Sequence, residues 1–160
     1  MSRVLVANRG EIALRVIATA TELGMDTVAV YAADDAQLPH VAAATMAVAL
    51  DGSGPSAYLD RAAVVAAGRD NGADLVHPGY GFLSEDAGFA AACADAGLTF
   101  VGPDPQILNT FGDKVSARTA AVDAGVPVLA ATESGIDEAA AIKFLAGCPD
   151  GIMIKAVAGG

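Results

Sequence analysis

Basic residues are scarce in this chain. Nine lysines and arginines face nineteen acids, for a net charge of −10. A nucleic-acid partner needs clustered Lys and Arg along its phosphates, so that class is excluded. Scarcity also makes each of the three lysines, Lys114, Lys143 and Lys155, informative. Aromatics are few as well, 5% of residues against 54% hydrophobic overall. Much of the remainder is alanine, which favours helix and points to tightly packed helices. No run reaches about 18 uninterrupted apolar residues, so no membrane-spanning helix and no membrane partner are expected. The opening run Val4–Ala7 turns polar at Asn8-Arg9. It is too short for a signal-peptide core, and the expected compartment is the cytoplasm. Two cysteines, Cys93 and Cys148, give neither metal spacing nor a disulfide framework. Both are expected to be buried helix-side thiols in a reducing compartment.

Several catalytic signatures are missing. No G-x-x-x-x-G-K-[ST] occurs, which removes the Walker-type ATPases, and no G-x-S-x-G occurs. The first strand-to-helix turn reads Asn8-Arg9-Gly10-Glu11-Ile12-Ala13, not G-x-G-x-x-G. Glu11 there would repel a pyrophosphate, so a dinucleotide site is not expected, although Asp34 and Asp35 fall near the place of a ribose-binding acid.

What is present is alternation. Apolar runs at Val4–Ala7, Thr27–Tyr31, Ala47–Leu50, Asp74–His77 and Leu98–Val101 are separated by helical patterns. The first helix carries Ala13, Val16, Ile17 and Ala20 on one face, with Glu11, Arg15, Thr19 and Glu22 opposite, and ends at Gly24. A second helix is predicted from about Tyr58 to Asn71. A third is predicted after Ser84 as cap, with Glu85 and Asp86 in its first turn. The pattern predicts an α/β fold with a Rossmann-like parallel sheet covered on both faces, its ligands at the carboxyl ends of the strands. Past Gly102 the texture changes. Helices are predicted from Pro105, from Gly112-Asp113 to about Asp123, and over 136–146, then a final strand at Ile152–Ile154. The expected division is 1–102, a helical connection 103–131, and the start of a second domain at 132–160.

Three features bear on chemistry. Lys155 leaves the last apolar run towards Gly159-Gly160, and strand, lysine and paired glycines suit a polyphosphate grip. Lys114 follows a helix cap, Asp113. A lysine there is disfavoured by up to about 1 kcal/mol unless an anion binds nearby; a solvent-facing side chain is the other reading. The segment His77-Pro78-Gly79-Tyr80-Gly81-Phe82-Leu83-Ser84-Glu85 joins a strand to a helix. It is either a tight structural turn or a substrate-facing loop displaying Tyr80. His77 alone reads as a hydrogen-bonded structural residue, and no metal site is expected.

In order, Ala7–Ala13, His77–Glu85, Phe100-Val101-Gly102-Pro103, Gly112-Asp113-Lys114, and Lys155 before Gly159-Gly160 resemble the N-terminal part of biotin carboxylase. The resemblance covers essentially the whole chain. It implies a pre-ATP-grasp sheet domain followed by the first elements of an ATP-grasp fold. It also implies a ligase within an acyl-CoA, acetyl-CoA, propionyl-CoA or pyruvate carboxylase, in which ATP phosphorylates bicarbonate and the carboxyl group passes to carrier-bound biotin. Lys114, Lys155, Gly159 and Gly160 match ATP-binding positions, and Tyr80 and Gly81 a loop near biotin and bicarbonate. The resemblance places the Mg2+ ligands, the bicarbonate arginine and the general base beyond residue 160. No catalytic residue is therefore expected within the segment, and alone it is predicted inactive. Implied partners are a biotin carboxyl carrier domain and a carboxyltransferase, in an oligomer whose dimer face Arg15 and Glu22 match. A non-catalytic assembly module, or another ATP-grasp carboxylate–amine ligase, is the alternative.

Overall fold

The computed structural model describes residues 2–132 and 134–155. Two compact units divide at Leu108/Asn109.

The first unit is built on five parallel strands: β1 (Arg3–Val6), β2 (Asp26–Tyr31), β3 (Met46–Ala49), β4 (Leu75–His77) and β5 (Thr99–Phe100). Between them lie α1 (Gly10–Glu22), α2 (Pro39–Ala43), α3 (Arg61–Asp70) and α4 (Ala87–Asp95). The spatial order is β3-β2-β1-β4-β5. Leu5 of β1 stands opposite Val28 on one side and Val76 on the other. The chain first winds outward from β1 to β3, then returns to place β4 on the free edge of β1. The carboxyl ends of β1 and β4 therefore flank the point where strand order reverses, the place where open α/β sheets leave a ligand crevice.

Alternation along the strands sorts the core into two faces. Leu5, Val28, Val30 and Val76 pack with Val64 of α3 and Phe89 and Cys93 of α4. Val6 and Ala29 point the other way, onto Ala13 and Ile17 of α1. The apolar stripe read in the sequence of α1 is the one buried, with Ala13, Ile17 and Ala20 enclosed and Glu11, Arg15 and Glu22 exposed. Phe89 and Phe100 meet edge to face at 5.9 Å. Cys93 lies in this core, where burial pushes its thiol up to about 11.

Several boundaries differ from the sequence expectation. The second predicted helix begins later, at Arg61, with the Asp60 carboxylate accepting from Ala63 N at 3.0 Å. Tyr58 lies instead in a 3-10 turn, Pro55–Leu59, held by its buried hydroxyl. The cap of α4 is Asp86, not Ser84. Its Oδ1 accepts from Phe89 N at 2.8 Å, while Oδ2 takes Arg61 at 2.7 Å. Phe82, at φ 44°, breaks any helical path through Ser84. The short α2 carries no strong sequence pattern, yet its His40 is fully buried.

In the second unit α6 (Lys114–Asp123) and α7 (Glu138–Leu145) follow α5 (Pro105–Gly112), which crosses the division. Asp113 and Asp137 cap α6 and α7 by accepting from Ser116 N and Ala140 N. The predicted strand Ile152–Ile154 does not form. Met153 and Ile154 are largely exposed, and no described strand pairs with them. An apolar run becomes a strand only when a neighbour takes up its backbone N–H and C=O groups. Cys148 lies past the end of α7 and is half-buried, not in a helix. Among the described residues no helix is long and apolar enough to cross a membrane.

Candidate functional site

The reversal point of the sheet is occupied by two segments, Asn8-Arg9 after β1 and His77–Phe82 after β4. Asn8 is completely buried. Its side-chain amide donates to the carbonyl oxygens of Pro78 at 2.8 Å and Tyr80 at 2.9 Å. Its Oδ1 accepts from Arg9 N at 2.9 Å. Gly79 lies between the two captured carbonyls at φ 67°. A side chain there would stand 2.7 Å from both Asn8 Nδ2 and Ile12 Cγ2, so only glycine fits. Gly79 N donates to His77 Nδ1 at 3.0 Å. That bond leaves the His77 proton on Nε2, and burial lowers the pKa of the ring.

A second cluster buttresses the same loop. Asp35, nearly buried after β2, accepts from Tyr58 Oη at 2.7 Å and from Arg9 Nη1 at 3.0 Å. Tyr58 Oη in turn accepts from Ala32 N at 3.0 Å. Burial pushes the Asp35 carboxyl upward, but the bonds from Tyr58 and Arg9 outweigh it and leave the pKa lowered. Burial pushes the Tyr58 hydroxyl well above its ordinary value. The Arg9 guanidinium lies 5.8 Å from the Tyr58 ring and 5.9 Å from the Phe82 ring, and those rings are 5.2 Å apart. His40 Nε2 faces Val30 O at 3.3 Å, while its buried Nδ1 has no hydrogen-bond partner. Asp35, near the position of a ribose-binding acid, is thus committed to Arg9 and Tyr58.

Every residue around Tyr80 is fastened, yet Tyr80 itself is 68% exposed. Beside it a groove of about 740 Å³ runs along α1, with Glu11, Arg15, His77 and Tyr80 among its walls. Gly81, at φ 69°, is exposed at the loop's far end. Sequence reasoning singled out Tyr80 and its glycines. It took Asn8 and Arg9 only as turn and motif residues, and it missed the partnership of Asp35 with Tyr58. A polar residue placed directly after the apolar run Val4–Ala7 was the available signal for Asn8.

In the second unit Lys114 and Lys155 line one groove of about 1160 Å³, together with Arg118, Asp137, Glu138 and Asp150. Lys114 is the first residue of α6. Gly159 and Gly160 lie outside the described residues. Among the described residues no group of three or more His, Cys, Asp or Glu could hold a metal ion.

The first unit is a parallel α/β sheet covered on both faces, with a held loop at its reversal point. A family model described as the biotin carboxylase N-terminal domain matches residues 1–108, and the chain belongs to that family. Over its whole length it is 47% identical to mitochondrial pyruvate carboxylase of Mus musculus, of which it spans 14%. A single-chain, multi-domain long-chain acyl-CoA carboxylase matches 91% of this chain at 61% identity and TM-score 0.87, and the match covers 15% of that chain. The biotin carboxylase domain of a single-chain bacterial carboxylase matches 92% at 52% identity and TM-score 0.87, covering 34% of that chain.

Proposed function

We propose that this chain forms part of a biotin carboxylase, acting in ATP- and bicarbonate-dependent carboxylation of carrier-bound biotin within an acyl-CoA or pyruvate carboxylase. The observation that carries the proposal is its similarity, along the whole chain, to biotin-dependent carboxylases.

Lys114 and Lys155 are the ATP-binding residues of this reading, together with Gly159 and Gly160, which lie outside the described residues. Two ammonium groups and the Arg118 guanidinium line the groove of the two lysines, together with the carboxyl groups of Asp137, Glu138 and Asp150, so the two lysines and not a net positive charge of the groove support a polyphosphate there. Such ammonium groups neutralise the charge that phosphoryl transfer moves. Biotin supplies the ring nitrogen that accepts the carboxyl group. Tyr80 and Gly81 form a fixed wall near the biotin and bicarbonate, and the exposed Tyr80 on its fastened loop supports that placement. Mg2+ belongs to the reaction of this reading, but the described residues offer no carboxylate cluster for it. Carrier and carboxyltransferase are the partners of this reading, in a cytoplasmic oligomer whose acceptor is chosen by the carboxyltransferase. The domain division of the reading is a sheet domain to residue 102, a helical connection to 131, and an ATP-grasp domain beginning at 132.

The test is bicarbonate-dependent ATP cleavage by the complete carboxylase, with free biotin as acceptor. Lys155→Ala and Lys114→Ala are each expected to raise the ATP KM about tenfold or more, the loss of a charge-assisted contact. The 160-residue segment alone is expected to show no turnover. Wild-type carboxylase that assembles but shows no such turnover points to a non-catalytic assembly module.

A further inference from the structure

The polar groups of Asn8 are fully used, and two of its three bonds reach a loop about seventy residues away. A residue that only closed its own turn would not need both amide hydrogens on Pro78 and Tyr80. The bonds straddle Gly79, whose left-handed backbone has no room for a side chain because Asn8 and Ile12 fill it. On the far side Phe82 also holds a positive φ, 44°, and stacks with Tyr58 beneath the Arg9 guanidinium. Both flanks of Tyr80-Gly81 are therefore tied to the end of β1, while the two residues themselves face solvent. A buried amide denied its acceptors is costly, so the loop has one low-energy placement.

We infer that Asn8 is a positioning residue for the biotin side of the carboxylation site, its amide fixing the Pro78 and Tyr80 carbonyls so that Tyr80-Gly81 is presented ready-made to the acceptor. This rests on the function proposed above and goes beyond it by assigning acceptor binding to a buried residue that never touches the acceptor. Pre-organisation of this kind lowers the ordering cost of binding. Loss of the Asn8 amide should therefore weaken acceptor binding and leave ATP binding alone.

The test compares wild type, Asn8→Asp and Asn8→Ser in the complete carboxylase, varying free biotin and ATP separately. Asn8→Asp replaces the two donors with an oxygen facing two carbonyl oxygens. It is expected to raise the biotin KM about tenfold, with the ATP KM within about twofold of wild type. Asn8→Ser is expected to fall between. Chymotryptic cleavage after Tyr80 should quicken in both variants, which reports the loop independently of turnover. If the Asn8 variants fail to fold, Phe82→Leu loosens the loop's other flank by removing the ring packed on Tyr58 and Arg9, outside the two residues that face the acceptor, and should give the same split. An active wild type whose variants keep their biotin KM, or raise both KM values equally, overturns the inference alone. A wild type that cleaves no ATP with bicarbonate and biotin overturns the proposed function and the inference with it.

Discussion

The two units are held by different physics. Residues to Leu98 include Tyr58, Phe89, Leu5 and His40 as fully buried side chains. After Leu98 no described residue is buried. Helices α6 and α7 have aspartate caps as good as those of α3 and α4, yet Val122, Ile142 and Leu145 stay exposed. Caps and propensity are local, and they form a helix where the sequence asks for one. A core requires two elements to close on each other, and only the sheet unit shows that.

The largest break in the comparison is expected at Phe89. Phe89→Ala should destabilise the first unit by about 3–5 kcal/mol, because a fully buried ring leaves a cavity against Phe100. Ile142→Ala in α7 should change stability by no more than about 0.5 kcal/mol. Hydrogen exchange resolved by segment measures both, and comparable losses would erase the contrast. Next in size is Tyr58→Phe. Removing the hydroxyl strands Ala32 N and takes from Asp35 Oδ2 one of its two bonds, the one from Arg9 remaining, at about 1–3 kcal/mol. Exchange at Ala32 and Ala33 should quicken first.

Acid offers a milder probe. The only two histidines, His40 and His77, both lie in the first unit. Burial lowers both below the ordinary 6.5; for His40 the Val30 carbonyl and Asp35 oppose that and Arg9 adds to it. The folded chain thus takes up these protons at lower pH than the unfolded chain. The contribution is fully present above about 6.5 and declines as pH falls towards the folded values. The denaturation midpoint of the sheet unit should drop as pH falls below about 6.5, while protection in α6 and α7, corrected for the intrinsic exchange rate at each pH, holds steady. An unchanged midpoint would show that these rings titrate normally. The most local effect is expected from Asp137→Ala, which should fray the start of α7 by the roughly 1 kcal/mol of a lost cap and leave the first unit untouched.

The strands were legible because a two-sided parallel sheet writes near-continuous apolar runs, and Val4–Ala7 and Thr27–Tyr31 fall within a residue of β1 and β2. The caps Asp113 and Gly24 were legible for the same local reason. Ser84 misled because two capping residues stand two apart, and the choice went to Asp86 through Arg61, twenty-five residues away. Ile152–Ile154 misled because apolar character names a candidate strand without supplying its partner. At the site, Tyr80 announced itself through its flanking glycines. Asn8 did not, since an asparagine in a turn is ordinary until its acceptors are known.

By itself the sequence determined the α/β alternation, the helix caps at Gly24 and Asp113, the glycine-flanked Tyr80 loop and the family. These are encoded in residues near one another in the chain, or in a motif read in order. Only the tertiary structure decided that β4 lies beside β1. That juxtaposition brings Asn8 to Pro78 and Tyr80, and the winding of the sheet brings Asp35 to Tyr58 and Arg9. Each is a contact across more than twenty residues, set by strand order and burial, which no local pattern specifies.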